Sequence, residues 1–408
     1  MNRRVVITGM GIFSCIGQTL DTVKKSLYQG VSGIGIIQER YQYGYHCALS
    51  GILPQPNLKG ELDRRQRIGL SQEAEFAYLS TRDALKDAEI DDNYLLKNNI
   101  GIIFGNDSSA DAIIKTSKIM NEKHDTAMLG SGSVFQSMNS TITMNLSTIF
   151  HIKGINFTIS SACASGNHSI GVASTFIKTG MQDIIICGGA QEVNINSSTS
   201  FDALGVFSKY KGDPTKASRP FDKNRDGLIP SGGSATIILE ELEHAQKRGA
   251  KIYGEILGYG FSSNGGKISA PGSDGSQIAI EMALKNGGIK PQEINYINAH
   301  ATSTPEGDLA EAKSLINIFG ENMPPISSTK SMTGHECWMA GVSEAIYSTL
   351  MINNSFIAPN INYEIGDEYT QKLNIATSTI NTKIDKILSN SFGFGGTNAV
   401  IIISNYLG

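Results

Sequence analysis

Short apolar runs of the kind that form buried strands alternate with helical stretches along the whole chain of 408 residues. Strands in such an alternation form sheets that are covered by helices and largely parallel. The predicted strands fall into two groups, 5–8, 100–104, 156–160, 183–187 and 234–240 in the first and 252–259, 294–299, 386–391 and 399–404 in the second. A chain this long exceeds one simple core, so we expect an α/β protein of two similar halves, residues 1–250 and 251–408.

The stretch 71–88 is an example of the predicted helices. Its apolar residues recur at the spacing of one helix face, at Ala74, Ala77, Tyr78, Leu85 and Ala88. We therefore expect a helix here with one buried face.

The composition argues against several classes of protein. The formal net charge is −4, which gives no global basis for binding nucleic acid. No stretch approaches a continuous apolar span of membrane length, and the first residues lack the apolar segment of a signal peptide, so we expect a cytoplasmic location. The five cysteines are dispersed and odd in number, which favours reduced thiols and argues against a zinc site.

One cysteine lies where a predicted strand meets a predicted helix. Cys163 follows the strand-like run 156–160, and the small residues after it continue into a helical stretch. Free backbone N–H groups and the dipole at a helix start favour the thiolate, which is the nucleophilic form. The position predicts covalent catalysis, although a lone cysteine is more often a small buried apolar residue.

Three later polar segments strengthen the catalytic interpretation. Each lies beside a predicted strand, where loops deliver catalytic groups. They are 298–308, which contains His300; 327–335, which contains Lys330 and His335; and the glycine-rich segment 390–398. Two histidines, a lysine and a glycine-rich loop together with a helix-start cysteine are difficult to explain as structure alone.

With these segments the chain resembles the β-ketoacyl-acyl-carrier-protein synthases of the thiolase superfamily. The resemblance extends over nearly the whole chain and is strongest at 161–163, 302–305, 330–335 and 392–398. It is closest to the elongating enzymes with a Cys-His-His site, because initiating synthases carry Asn where His335 stands. Within the elongating group, residues 356–362 look closer to the first type. The resemblance implies a duplicated five-layer α-β-α-β-α thiolase-like fold with a cap built mainly from the first half, which carries the nucleophile, while the second half carries both histidines.

The resemblance also implies a reaction and the residues that perform it. An acyl chain held on Cys163 would undergo decarboxylative Claisen condensation with malonyl-acyl-carrier protein. His300 and His335 would donate hydrogen bonds to the enolate, and Lys330 would orient His335 and supply positive potential through an ion pair with Glu344. The N–H groups of Cys163 and Phe394 would form an oxyanion hole.

Further implied contacts concern substrates and partners. Thr302 and Thr304 are similar to the family's pantetheine contacts, and Phe392 and Phe394 are implied to contact substrate. A basic cluster, Arg64, Arg65 and Arg67, would dock an acidic carrier protein, although such a cluster is usually a solvated charge run. No cofactor or metal is expected, since the carrier protein delivers the phosphopantetheine. The family implies a homodimer, with a heterodimer with a related subunit as the alternative.

The sequence departs from the family pattern at a few positions. Ala301 replaces a glycine and should add bulk beside the His300 imidazole, Asn106 and Asp107 replace a more glycine-rich stretch, and the segment 336–341 carries Trp338, the one tryptophan of the chain, where small residues are usual. These changes leave fatty-acid synthesis and a specialised polyene or polyketide-type lipid pathway both open. Two other interpretations stay open, a non-catalytic chain-length-factor-like subunit and a thiolase. A chain-length factor typically lacks the nucleophile, and a thiolase carries a second cysteine in the late glycine-rich motif.

Overall fold

The computed structural model describes residues 3–266, 268 and 272–407. The described residues form fourteen strands: β1 Val5–Phe13, β2 Ile34–Ile36, β3 Leu49–Gly51, β4 Gly101–Gly105, β5 Asn156–Ile159, β6 Ile184–Gln191, β7 Gly233–Glu241, β8 Gly254–Ser263, β9 Tyr296–Asn298, β10 Ile326–Ser327, β11 Phe356–Ile357, β12 Ile380–Asn381, β13 Lys386–Phe392 and β14 Thr397–Ser404.

The same residues form fifteen α-helices: α1 Leu20–Gln29, α2 Glu39–Gln42, α3 Arg64–Ile68, α4 Gln72–Asp87, α5 Asp92–Lys97, α6 Ala110–Lys123, α7 Ser133–Ser137, α8 Thr141–Ile149, α9 Ser165–Lys178, α10 Thr199–Leu204, α11 Leu242–Lys247, α12 Ser273–Gly287, α13 Pro305–Phe319, α14 Lys330–Thr333 and α15 Ala340–Asn354. No helix in the described ranges is both long and apolar enough to cross a lipid bilayer.

The two halves of the chain repeat one topology. Ten strands form a continuous sheet in the order β10-β9-β13-β14-β8-β1-β7-β6-β4-β5. Counted along the chain within each half, the order from the outer edge is third, second, fourth, fifth, first in both. The first strands of the two halves, β1 and β8, pair antiparallel at the centre through Val6 with Glu255 and Ile7 with Gly254. The predicted similarity of the halves therefore appears in strand order and direction. Residue 250 lies between α11 and β8, and the division of the chain there stays a prediction.

The prediction of largely parallel sheets was wrong. In each half only the three outer strands run parallel, and the remaining ladders are antiparallel. The reason is clear at β13 and β14, which are joined by the short turn Phe394–Gly396 and so must form a hairpin. Alternation of strands with helices could not reveal such a direct return.

Helices cover the sheets in layers. On the first half, α4 and α8 pack against one face, and on the second half α12 packs against β8 and β14 while α13 packs against α12. Between the halves, α9 and α15 contact strands of both, and every residue of α15 from Ala340 to Ile352 is buried. A helix that is buried all round belongs at the centre of a molecule. The result is the expected five-layer α-β-α-β-α arrangement, with most of the remaining helices contributed by the first half.

The helix predicted at 71–88 is confirmed as α4. Ser71 and Ala88 flank it, and all five apolar positions of the predicted face are buried. The helix approaches β1 so closely that a Cβ at Gly11 would lie 2.0 Å from the carbonyl oxygen of Ser80. The absence of a side chain at Gly11 thus permits this contact between helix and sheet.

Candidate active site

Cys163 occupies a tight turn between β5 and α9, as the sequence predicts. The turn Ala162–Ala164 places Ala162 in the left-handed region, with φ of 46°, and leads directly into α9. The N–H of Ala162 donates to Asp107 Oδ2 at 3.1 Å, and Thr397 Oγ1 donates to the carbonyl oxygen of Ser161 at 2.9 Å. These bonds hold an unfavourable backbone conformation in place beside the sulfur.

His335 contacts the sulfur directly. Its Nε2 lies 3.0 Å from Cys163 Sγ. On the other side of the ring, Nδ1 accepts the backbone N–H of Cys337 at 3.2 Å, so we assign the ring proton to Nε2. The backbone of His335 also bonds to Ile229 and Ser231, which fixes the position of the ring against the segment before β7.

His300 follows β9 in a loop that two buried carboxylates hold. Glu311 accepts the N–H of His300 at 2.9 Å and that of Ala301 at 2.7 Å. Asp308 accepts the N–H of Thr302 at 2.9 Å. Burial raises the pKa of both carboxyl groups, that of Asp308 to about 7. The two acidic residues of α13 therefore shape the loop from beneath.

The three groups converge on one point. Cys163 Sγ and a ring nitrogen of each histidine all lie within 4.8 Å of one another, and the two rings meet edge to face with centroids 5.3 Å apart. Burial, together with the charge of Lys330, lowers the pKa of both imidazoles well below the usual value. Both histidines are thus neutral at physiological pH and can donate a hydrogen bond without carrying charge.

The thiol is harder to ionise than its position suggests. Burial raises the pKa of Cys163 to about 11, although Lys330 and the backbone N–H groups of Phe394 and Cys163 act in the opposite direction. The backbone donors at this turn favour the thiolate, as expected, but they do not make it the resting form. Desolvation of the sulfur outweighs the nearby donors.

Lys330 is buried at the start of α14 and pairs with Glu344 of α15, as expected. Burial raises the pKa of Glu344 to about 8 even beside this cation. The ammonium group reaches the site through its field, since it lowers the pKa of Cys163, His300 and His335. In the described structure its bonded partner is Glu344 rather than the imidazole of His335, so a direct orienting contact is absent.

The glycine-rich segment reaches the sulfur from the second half. The N–H of Phe394 lies at Cys163 and lowers the pKa of its thiol. A Cβ at Gly393 would lie 3.0 Å from the backbone nitrogen of Cys163, so this close approach requires glycine. The ring centroids of Phe392 and His300 lie 6.0 Å apart. The two backbone N–H groups predicted to form an oxyanion hole therefore both lie at the sulfur, and their role stays a prediction.

A cavity of about 360 Å³ opens at this point. Its walls include Cys163, both histidines, and the four residues expected to contact substrate, which are Thr302, Thr304, Phe392 and Phe394. The hydroxyl oxygens of Thr302 and Thr304 lie 3.1 Å apart. The structure thus places all four predicted substrate contacts beside the nucleophile.

A second, smaller cavity of about 20 Å³ also reaches Cys163. Trp338 lines it together with Phe201, Phe207 and Phe394, whose rings lie near one another. Phe201 and Gln191 are site residues that the sequence analysis missed, because nothing in their local pattern distinguishes them from core residues.

Cys163, His300 and His335 could also ligate a metal ion, since thiolate and imidazole are zinc ligands. The surroundings argue for a different use. The positive charge of Lys330 opposes a second cation, and the two N–H groups at the sulfur suit an anionic oxygen. The site is thus arranged for acyl transfer.

Comparison with known proteins agrees with this geometry. The model of the β-ketoacyl synthase N-terminal domain matches residues 2–245, and that of the C-terminal domain matches residues 253–364. The chain belongs to the β-ketoacyl synthase family. A 3-oxoacyl-[acyl-carrier-protein] synthase 1 of Haemophilus influenzae is 41% identical over 409 aligned residues, which span 100% of both chains. Its name agrees with the predicted likeness to the first type of elongating enzyme.

Solved structures of ketosynthases share the fold. A β-ketoacyl synthase from Burkholderia phymatum superposes with a TM-score of 0.94 at 32% identity, over 99% of this chain and 100% of the other. A type II polyketide ketosynthase, in complex with its acyl-carrier protein and bound to a hexaketide, gives a TM-score of 0.91 at 27% identity and full coverage of both chains. The predicted thiolase-like fold is confirmed.

Other residues of this β-ketoacyl synthase depart from the expectations. Ala301 belongs to an apolar cluster of the second half, and its effect on the neighbouring His300 imidazole stays a prediction. Asp107, singled out only as a departure from the family pattern, supports the nucleophile turn. Arg64, Arg65 and Arg67 lie on the short helix α3, where Arg64 and Arg65 are exposed, and their role in docking stays a prediction.

We expect the alkylation of Cys163 by iodoacetamide to accelerate about tenfold per pH unit between pH 7 and 10, because only the thiolate reacts and the pKa of this thiol is about 11. The double variant Lys330→Met with Glu344→Gln should react more slowly at each pH, since loss of the cation raises the thiol pKa further. Peptide mass spectrometry at Cys163 gives the rate, with Lys118→Met on the exposed face of α6 as control. A plateau at or below pH 8 would contradict the burial argument.

Proposed function

We propose that this β-ketoacyl synthase catalyses the decarboxylative condensation of an acyl chain on Cys163 with malonyl-acyl-carrier protein, giving 3-oxoacyl-acyl-carrier protein. The observation that carries the proposal is the convergence of one thiol and two neutral imidazoles within 4.8 Å, with backbone N–H groups of both halves at the same sulfur. A nucleophile with two sets of donors suits a reaction that passes through two anions.

In the first step, the sulfur of Cys163 attacks the acyl thioester of the carrier protein. A bond from the sulfur to the acyl carbon forms, the bond to the phosphopantetheine sulfur breaks, and the thiol proton leaves with that sulfur. The N–H groups of Cys163 and Phe394 stabilise the negative oxygen of the intermediate. The Nε2–H of His335, 3.0 Å from Sγ, stabilises negative charge on the attacking sulfur as the proton departs.

In the second step, malonyl-acyl-carrier protein loses carbon dioxide. The electron pair of the broken carbon–carbon bond forms an enolate on the malonyl thioester, and His300 and His335 donate hydrogen bonds to its oxygen. The enolate carbon then attacks the Cys163 thioester and releases the sulfur, which takes up a proton. Neutral imidazoles suit this role because each can donate a hydrogen bond without carrying a positive charge in the buried site. The positive charge of Lys330 helps to keep both rings neutral.

The carrier protein supplies phosphopantetheine, and we place that group in the 360 Å³ cavity beside Thr302 and Thr304. We assign carrier docking to Arg64, Arg65 and Arg67, whose positive charge suits an acidic partner and would act mainly on the encounter rate. Support comes from the solved ketosynthase complex with its own acyl-carrier protein. The division of the chain at residues 250 and 251 belongs to the same proposal, with the nucleophile on one side and both histidines on the other.

The names of curated relatives favour fatty-acid synthesis as the setting. Trp338 in the wall beside Cys163 favours a restricted acyl range, as a specialised pathway would need. The chain-length-factor alternative is disfavoured by Cys163 itself. The thiolase alternative is disfavoured because the segment 390–398 contains no cysteine.

Separate roles for the nucleophile and the histidines predict separable defects. Cys163→Ser should lose acylation from acyl-carrier protein, because a serine hydroxyl forms no comparable anion at neutral pH. His300→Ala and His335→Ala should lose about 10²–10³ in malonyl decarboxylation and condensation, and less in acylation. Mass spectrometry of the acyl-enzyme and release of labelled carbon dioxide measure the two steps. Acyl label on Cys163→Ser at the normal rate, or full malonyl turnover by both histidine variants, would refute the assignment.

If the Trp338 indole limits the acyl pocket, Trp338→Gly combined with Cys337→Leu should accept longer or more branched acyl chains. If the indole only fills the core, the same change should cost roughly 3–5 kcal/mol of stability and leave chain preference unchanged. Acylation profiles over chain length, together with denaturation midpoints, separate these cases. An unchanged profile in a folded protein would end the pocket hypothesis.

We propose a homodimer that forms along β5. This strand lies at one edge of the ten-stranded sheet, where its backbone groups can pair with another strand, and its residues are partly exposed. Analytical ultracentrifugation at micromolar concentration should show a dimer. A monomer under these conditions would contradict the proposal, and a mixture with a related subunit would test the heterodimer alternative.

A further inference from the structure

Two cavities of very different size reach Cys163. The larger, of about 360 Å³, is lined by Thr302 and Thr304, where we place the phosphopantetheine. The smaller, of about 20 Å³, is lined by Trp338 and Phe201. The phosphopantetheine of the malonyl carrier must enter the larger cavity while the acyl group is still on the sulfur. An acyl chain lying there would block this second substrate, so the chain has to occupy the smaller cavity.

The smaller cavity has room for about one water-sized group. With the acyl carbonyl oxygen at the proposed oxyanion hole, the methyl group of an acetyl chain is of about this size. Aromatic rings already fill the space that further methylene groups would need. The ring centroids of Phe207, Trp338 and Phe394 lie 6.2–6.3 Å from that of Phe201. A longer chain could enter only by displacing one of these rings.

Close packing fixes the backbone that carries the indole of Trp338. A Cβ at Gly166 of α9 would lie 2.9 Å from the carbonyl oxygen of Trp338, and a Cβ at Gly189 of β6 would lie 2.6 Å from the same atom. Such approaches are possible only because both positions are glycine. The side chain of Trp338 is 6% exposed. The indole is therefore a buried part of the wall on a backbone held by two elements of the first half.

The helix that carries Phe201 is anchored as well. Asp202, the next residue of α10, is buried, and its carboxylate accepts the N–H of His46 at 2.9 Å and that of Cys47 at 3.1 Å. These bonds tie α10 to the segment before β3. Both aromatic residues that face each other in the wall thus belong to fixed segments of backbone, so the small volume beside the sulfur is a property of the fold.

We propose that Cys163 accepts an acetyl-sized acyl group and that Trp338 and Phe201 exclude longer chains. The proposal rests on the proposed function and names its acyl substrate as the acetyl thioester of an acyl-carrier protein. Condensation with the malonyl thioester releases carbon dioxide and forms a 3-oxobutanoyl thioester. This is the reaction that begins a chain, and further lengthening of its product requires a synthase with a deeper acyl pocket.

The test measures acylation of Cys163 by acyl-carrier proteins that carry acetyl, butanoyl, hexanoyl or octanoyl chains. Mass spectrometry of the intact protein gives kcat/KM for each substrate. We expect kcat/KM to fall about tenfold or more from acetyl to butanoyl and to stay low for the longer chains, since one methylene group in an apolar pocket changes specificity by about 10–200-fold. A profile that is flat, or that rises from acetyl to octanoyl, would overturn the proposal.

Two variants enlarge the cavity at different points of its wall. Trp338→Gly and Phe201→Ala should each raise the ratio of octanoyl to acetyl kcat/KM by about tenfold or more. Phe261→Ala is the matched control, because this exposed ring of β8 is not among the described residues that line either cavity. It should keep the ratio of the unaltered protein. Denaturation midpoints identify the variants that fold, and one folded wall variant is enough for the comparison.

An unchanged ratio in the folded wall variants would also overturn the proposal, because the chain length would then be limited elsewhere. Failure of the proposed function gives a different result, since Cys163 would then take up neither the acetyl group nor any longer chain from an acyl-carrier protein.

Discussion

Desolvation of one sulfur atom and two imidazole rings is the physical constraint on which this site depends. Burial raises the pKa of Cys163 to about 11 and keeps His300 and His335 neutral. Ionising the thiol or either imidazole in this interior is costly. Negative charge therefore develops in the site mainly on the reacting atoms, during the reaction itself. Hydrogen-bond donors fixed before the reaction are most effective in such a medium, because no water competes with them and they need not reorganise. The fold supplies that enclosure by burying α9 and α15 between the two halves.

The positive charge of Lys330 also affects the ionisation of these three groups. An ammonium group in this interior is tolerable because Glu344 pairs with it. Burial opposes ionisation of that carboxyl and raises its pKa, whereas the charge of Lys330 lowers the pKa and so favours the pair. The pair lies on α14 and α15, beside the ring of His335 rather than bonded to it. Its field opposes protonation of both histidines and favours the thiolate, and both effects assist acyl transfer. Lys330 therefore affects the site through its electrostatic potential. The sequence motif alone could not distinguish this effect from a direct hydrogen bond to His335.

The sequence predicted the parts of the fold that local patterns determine. The face of α4 was visible because its apolar residues recur at helical spacing, and the turn at Cys163 was visible because strand and helix patterns meet there. Strand direction was not predictable in this way, since the antiparallel return from β13 to β14 depends on a short glycine-rich turn that alternation does not reveal. β10 was missed because Ile326–Ser327 is too short to show the alternation of apolar and polar residues that marks a strand. For the site, the motifs predicted which residues converge, but the ionisation of Cys163 depends on burial contributed by residues distant in the chain.

The second cavity shows most clearly why spacing could not complete the site. Gln191 ends β6, Phe201 lies in α10, and Trp338 precedes α15, so only the folded chain brings them together. Trp338 was conspicuous in the sequence as bulk where small residues are usual, and that observation speaks to volume alone. The structure adds the surroundings of that bulk, because the indole ring lies near the ring of Phe201 in the wall of a cavity that reaches Cys163. Truncation of Trp338 to glycine therefore changes the volume available beside the nucleophile itself.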